Sequence, residues 1–353
     1  MDFSRQIRLW YTKNKRDLPW RHTRDPYLIW LSEVILQQTR VEQGRKYYKN
    51  FAAAWPNISA LAAASEEDVL KLWQGLGYYS RARNLHKTAK IIAENHNGIF
   101  PDTYHQLLSL KGIGEYTAAA IGSFAYDIAE PVVDGNVYRV LARVFGIDTP
   151  IDSTAGKKQF RELAAELLDR RDPATHNQAI MEFGALQCVP RSPNCGVCVF
   201  AQTCEARRTQ RIAELPVKAK KTKVTNRFLH YFILRAGSKF YVRRRSAGDI
   251  WQGLYDYPLI ETKTAEDDPL NNEVWKLWST ARKTEIVNVS DEFLHVLSHQ
   301  RLHAKFYEVK LNKALPGELT GDFKLIDEKE FDALAVPVLI SRYRNAAINL
   351  RLF

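Results

Sequence analysis

The chain is poor in cysteine: four occur among 353 residues, with none in the first 187 positions or the last 149. Secreted disulfide frameworks spread their cysteines through small, core-poor chains, so this distribution argues against one. Long apolar runs are missing as well. The opening MDFSRQIRLWYTKNKR has no apolar signal core, and nowhere are there enough uninterrupted apolar residues to cross a bilayer. The expectation is a cytoplasmic protein without a membrane partner. No internal repeat or low-complexity tract appears. With 45% hydrophobic and 26% charged residues the composition is that of an ordinary globular chain, long enough for two cores.

One sign of charge is in excess. Fifty-one Lys and Arg stand against 40 Asp and Glu, a formal +11, and a basic surface attracts polyanions by releasing their counterions. Along the chain the pattern changes once. Helical periodicity dominates to about residue 205, as in FRELAAELLDRRDPATHNQAIMEFGALQC. From 227 onward come short aromatic and β-branched runs, RFLHYFILR, KFYVRR, EFLHVLS and HAKFYEVKL, before a return to helix after Pro337. Between them, residues 206–226 read as a basic, solvated linker. The fold class expected is therefore two-domain: all-α over 1–205, α+β over 227–353.

All four cysteines fall in CVPRSPNCGVCVFAQTC, residues 188–204. Their spacing, C-x6-C-x2-C-x5-C, has one close pair where a zinc ribbon has two knuckles. Four soft donors on an irregular loop suit an iron–sulfur cluster, and zinc accepts the same ligands.

Three further stretches carry chemistry. In LLSLKGIGEYTAAAIGSFAY, Gly112 and Gly114 permit a tight turn between helices, leaving free N–H groups at the second helix's start. With Lys111 beside them they form a seat for a phosphate, whereas an ordinary αα-turn has the same look. In EPVVDGNVYRVLARVFG, Asp134 and Asn136 precede or open a helix and read alone as capping residues. Glu33, in YLIWLSEVILQQT, is a carboxylate among apolar neighbours. Burial there would raise its pKa and make it a proton donor; a solvent-facing position shared with Gln37 is the alternative.

Together LKGIGEYTAAA, VVDGNVYRV and the cysteine loop closely resemble the endonuclease III superfamily of base-excision DNA glycosylases. RDLPWR, LSEVILQQTRV and WQGLGYYSRARNL look specifically like the MutY-type adenine DNA glycosylases, and the resemblance covers nearly the whole chain. It implies a helix-hairpin-helix glycosylase domain with a [4Fe-4S] cluster on Cys188, Cys195, Cys198 and Cys204, then a Nudix-like lesion-recognition domain. It implies a substrate, double-stranded DNA with adenine opposite 8-oxoguanine, and hydrolysis of the N-glycosidic bond. Glu33 is then the acid, Asp134 the stabiliser of the sugar cation, and Tyr116 and Asn136 orient them. Arg16, Leu18, Trp20, Arg21 and Glu182 match the adenine pocket, and Gln38 and Tyr78 the wedges that replace the extruded base. Lys111, Gly112, Gly114 and Arg191 would meet the DNA backbone.

Two departures matter. Relatives that also cut the strand carry a lysine where this chain has Tyr116, and tyrosine forms no Schiff base, so a monofunctional enzyme is expected. In the lesion-reading hairpin Ser298 and His299 are kept but Leu297 replaces a phenylalanine, which lowers stacking. FYVRRRSAGDIWQGLYDYP resembles the start of a Nudix fold, yet no glutamate-rich magnesium box follows, so nucleotide hydrolysis is not expected. His295, His299 and His303 recur every four residues, but the segment alternates like a strand pair, against a metal site. The competing readings are a bifunctional pyrimidine-lesion glycosylase and lyase, and a DNA-binding protein without catalysis. A monomer is expected, and the sequence names no protein partner.

Overall fold

The structure, a computed structural model, describes residues 2–219 and 223–351. Packing separates two compact units, residues 1–63 with 84–221, and residues 64–83 with 222–353.

The first unit is helical among its described residues. Its helices start where the sequence supplies an acceptor and, often, a proline at the first position: Asp25 accepts from Tyr27 N ahead of Pro26–Leu36, and Asp172 from Thr175 N ahead of Pro173–Leu186. Pro26–Leu36 is apolar on nearly every side and buries Tyr27, Ile29, Trp30, Leu31, Val34 and Ile35, which carries Glu33 inward with them. Gly135–Phe145 is amphipathic and ends in Gly146, whose φ of 70° is the left-handed cap glycine adopts most easily. One core packs Phe3, Ile7 and Trp10 against Val140, Phe160, Phe183 and Phe200, with Cys188, Cys198 and Cys204 at its margin.

In the second unit eight strands form one sheet: β1 (Thr225–Ala236), β2 (Lys239–Arg244), β3 (Tyr255–Asp256), β4 (Leu259–Thr262), β5 (Thr284–Val289), β6 (Phe293–Val296), β7 (Gln300–Leu311) and β8 (Phe323–Ile326). The path β3-β2-β1-β7-β5 is extended by β4 on β1, β6 on β7 and β8 on β2. β1 and β7 run parallel, Phe228 opposite His303 and Phe232 opposite Tyr307, and every other pairing is antiparallel. The aromatic runs read as strands do form β1, β2, β6 and β7, and the final helix is Val338–Arg351. His295 lies on β6 and His303 on β7, so the four-residue histidine spacing is a strand pair. Helix Glu273–Ala281 gave no earlier signal; its Trp275 and Trp278 cover Phe232 on one sheet face.

Residues 64–83 join this unit through polar contacts. Tyr255 Oη donates to Glu67 at 2.8 Å, Arg244 pairs with Glu66 at 3.0 Å, and Lys71 Nζ donates to the carbonyls of Asp332 and Leu334 at 2.7 and 2.8 Å. None of this is visible in local pattern, because each partner lies more than 170 positions away.

Candidate active site

A cleft of about 760 Å³ opens in the first unit. Arg16, Leu18, Trp20, Arg21, Glu33, Gln38, Tyr116, Asp134, Asn136 and Glu182 all line it. These ten come from segments far apart in the chain, and the fold brings them to one surface.

Two carboxylates face the cleft in unlike environments. Glu33 is 6% exposed, and burial, the largest influence, pushes its carboxyl up to about 7 against the opposing hydrogen bond from Tyr116. Tyr116 Oη donates to Glu33 Oε2 at 2.5 Å, leaving Oε1 to hold a proton. The tyrosine is itself pushed well above its ordinary value by burial and stays a neutral donor. Asp134 is the N-cap of Gly135–Phe145. Its Oδ1 accepts from Asn136 N and Val137 N, both at 2.8 Å, and its Oδ2 from Asn136 Nδ2 at 2.7 Å. Burial raises this carboxyl, while the three donors, the helix dipole and the Arg139 charge favour the anion. One carboxyl has a single donor and an apolar setting, the other three donors and a helix terminus. The first holds a proton near neutrality and the second is the better anion.

The adenine-pocket residues are joined by an ion cluster. Glu182, 1% exposed, accepts from Arg16 N, Nε and Nη2 at 2.9, 2.9 and 2.6 Å and from Arg21 Nη1 and Nη2 at 3.0 and 2.8 Å. Burial works to raise its carboxyl, but these bonds prevail and hold it at about 2. A buried carboxylate is tolerable only with such complete pairing. Leu18 and Trp20 are buried beside it, Trp20 edge-on to Tyr48 at 5.3 Å.

The other sequence-nominated residues lie elsewhere. Gln38 follows the helix Pro26–Leu36 at the rim, exposed, with φ of 55°. Helices Tyr104–Ser109 and Glu115–Tyr126 form the hairpin; Gly112 has φ of 82°, while Gly114 is extended and caps the second helix with no side-chain acceptor. That second helix therefore opens with N–H groups its own cap leaves unbound, next to exposed Lys111. Arg191 is exposed on the 189–194 loop, which Gln187 Nε2 pins by donating to Asn194 O at 2.7 Å. Tyr78, Ser298 and His299 are in the second unit, where the Tyr78 and Ser298 hydroxyls are hydrogen-bonded to each other.

All four cysteines line one small cavity of about 20 Å³ with Phe183, Phe200 and Arg143. Phe200 N donates to Cys198 Sγ at 3.4 Å, and Arg143 Nη1 lies 3.6 Å from Cys188 Sγ. Burial, ahead of all else, pushes the Cys198 thiol up to about 11. Among the described residues no three His, Cys, Asp or Glu side chains close on a single ion. Four soft thiol donors around one cavity suit an iron–sulfur cluster, and zinc accepts the same ligands.

Sequence reading missed Arg139 and Arg143, 9% and 3% exposed on the helix that Asp134 caps. Arg139 donates to Asn136 Oδ1, Gly184 O and Cys188 O at 2.8, 2.6 and 2.7 Å; Arg143 donates to Val189 O and Pro190 O at 2.8 and 2.9 Å. The signal was present in VYRVLARVF, where two arginines four apart share the face of an otherwise apolar helix.

A family model described as HhH-GPD superfamily base excision DNA repair protein matches residues 31–169, and a model of the NUDIX domain matches residues 230–346. The adenine DNA glycosylase of Buchnera aphidicola subsp. Acyrthosiphon pisum is 33% identical over 304 residues, 85% of this chain and 84% of that protein. The Homo sapiens adenine DNA glycosylase is 45% identical over 208 residues, 56% of this chain and 38% of its own. Among solved structures, a thermostable thymine-DNA glycosylase superposes with a TM-score of 0.55 at 29% identity, covering 59% of this chain and 95% of that one.

Proposed function

As this chain belongs to the MutY-type adenine DNA glycosylases of the endonuclease III superfamily, acting on DNA in base-excision repair, we propose that it removes adenine opposite 8-oxoguanine and leaves the strand uncut. The observation that carries this reading is the pair of unlike carboxylates, Glu33 with its proton and Asp134 with its three donors, on one cleft.

Adenine anion is a poor leaving group. Glu33 gives its proton to N7 of the extruded base, the C1′–N9 bond breaks, and its electron pair leaves with neutral adenine. The sugar is left as an oxocarbenium ion, which the Asp134 carboxylate stabilises or captures, as carboxylate pairs do in glycoside hydrolysis. Glu33, now anionic, takes a proton from the water that attacks C1′, which restores the enzyme and yields an abasic site. Tyr116 holds Glu33 in orientation and Asn136 holds Asp134. The Arg16–Glu182–Arg21 cluster and Trp20 form the wall that receives the base. Gln38 and Tyr78 fill the gap in the duplex. Lys111, Gly112, Gly114 and Arg191 hold phosphates, and Ser298 and His299 read the opposite base.

The four cysteines hold a [4Fe-4S] cluster on this reading. When bound it supplies Fe–S bonds that pin the 189–194 loop and so brace Arg191 against DNA. Freshly purified protein is expected to be brown and to contain iron and acid-labile sulfide, and Cys195→Ser to lose both. Colourless protein with one zinc per chain would replace this assignment.

A single-turnover assay tests the activity on end-labelled duplexes carrying adenine opposite 8-oxoguanine, adenine opposite thymine, or an oxidised pyrimidine. Product from the first duplex only, and only after alkali, is expected. Strand cleavage without alkali on the oxidised pyrimidine would favour the bifunctional lyase, against the Tyr116 argument.

A further inference from the structure

The second unit has a pocket of its own, about 580 Å³, walled by the turn at Tyr78, the loop at Trp251 and the hairpin at Leu297, Ser298 and His299. Seven described residues other than glycine have positive φ. Five are Asn, Asp, Gln or Ser, which bear that conformation in ordinary turns. The two bulky ones, Tyr78 at 46° and Trp251 at 60°, both line this pocket. A left-handed backbone under a large ring is uncommon and persists only where the surroundings over-determine it.

Those surroundings are present at Trp251. Arg245 Nε donates to Ile250 O at 2.9 Å, Arg83 Nη1 to Gln252 O at 2.8 Å, and Leu254 N to Trp251 O at 3.0 Å. The indole is fixed as well, with the Arg245 guanidinium 5.8 Å from its ring and His295 edge-on at 5.7 Å. Arg245 is held in turn by Asp249 and Asp256 at 2.5 and 2.6 Å. Trp251 is half-buried: it packs against the sheet core, as Leu297 does, and also lines the pocket, where the hairpin's apolar contribution is the aliphatic Leu297. Gln300 is another wall residue, and its side-chain Oε1 is buried without a hydrogen-bond partner among the described residues. Flat apolar walls with hydroxyl, imidazole and amide groups at the edge suit a planar heteroaromatic, a nucleobase, better than an aliphatic or a peptide.

We propose that Trp251 is a specificity-determining residue, a preset stacking platform for the purine opposite the excised adenine. It supplies the aromatic surface that the hairpin lacks at Leu297. The inference rests on the proposed preference for 8-oxoguanine and assigns part of it to a residue outside the hairpin.

The test is the ratio of single-turnover rates, and of dissociation constants, for adenine opposite 8-oxoguanine and adenine opposite guanine. Trp251→Leu is expected to lower the ratio about tenfold or more, the scale of a lost base–aromatic stack, and Trp251→Phe only about threefold. Adding Leu297→Phe to W251L is expected to restore part of the ratio, because a ring on the hairpin would meet the same base. An unchanged ratio in a folded W251L, judged by circular dichroism and thermal melting, overturns the proposal. Should W251L fail to fold, W251F decides, and an unchanged ratio there has the same meaning. A wild-type enzyme with no preference between the two duplexes would instead remove the reading on which the inference rests.

Discussion

Glu33→Gln is expected to slow adenine release roughly a hundred- to ten-thousandfold under single-turnover conditions, the range of a lost general acid. Glutamine keeps the volume and can still accept from Tyr116, but it has no proton to give to N7. The wild-type rate is expected to fall as pH rises through about 7, where Glu33 loses its proton, and E33Q to lose that dependence. Stability moves the same way. The carboxyl is held at about 7 in the fold against 4.5 for a free glutamate, so the folded state binds the proton more tightly than the unfolded chain. The stabilisation from that proton is complete below about 4.5 and is lost as pH rises through 7, in total about 3 kcal/mol. Denaturation midpoints at acid and alkaline pH check this: E33Q should gain on the wild type at the alkaline end. A wild-type rate flat from acid pH to well above 7 would remove Glu33 from the role.

The second large effect is expected at Asp134. Asparagine caps a helix about as well as aspartate, so Asp134→Asn retains the bonds to Asn136 N and Val137 N through its Oδ1, loses the one from Asn136 Nδ2, and should cost about 1–3 kcal/mol of stability. It removes the negative charge proposed to stabilise the sugar cation at C1′. A cationic transition state then loses its nearest counter-charge, and a rate loss of about a hundredfold or more is expected with little change in DNA affinity. Equal losses of rate and thermal stability would mean that the capping role explains Asp134 entirely. The contrast is sharp because one substitution separates the two functions of a single side chain.

Where the chain turns from helix to strand, where the cysteines cluster and where the glycine hairpin lies were all legible in order of residues. These are local properties: periodicity, thiol spacing, and the need for glycine at Gly112, where φ is 82°. Asp134 was legible as a cap for the same reason, since a cap bonds within three residues of itself. Glu33 was suspicious by sequence, because most of its neighbours on the helix are apolar, but whether it faced solvent or core depended on what packs against that helix. Tyr116, 83 positions later, and Asp134 decide it. The same holds for Glu182, whose guanidinium partners come from more than 160 positions earlier.

By itself the sequence determined the helical and strand halves of this protein, its basic character, its thiol loop and the residue types from which an acid-assisted excision is proposed. Tertiary structure alone decided which carboxyl holds a proton, because a pKa is set by burial and donors from distant segments. It also decided that residues 64–83 pack with the strand-rich unit, that Arg139 and Arg143 tie the capped helix to the cysteine loop, and that Trp251, at the wall of a pocket, has a left-handed backbone. Local propensity contains none of these, since each is a balance struck between groups that meet only once the chain is folded.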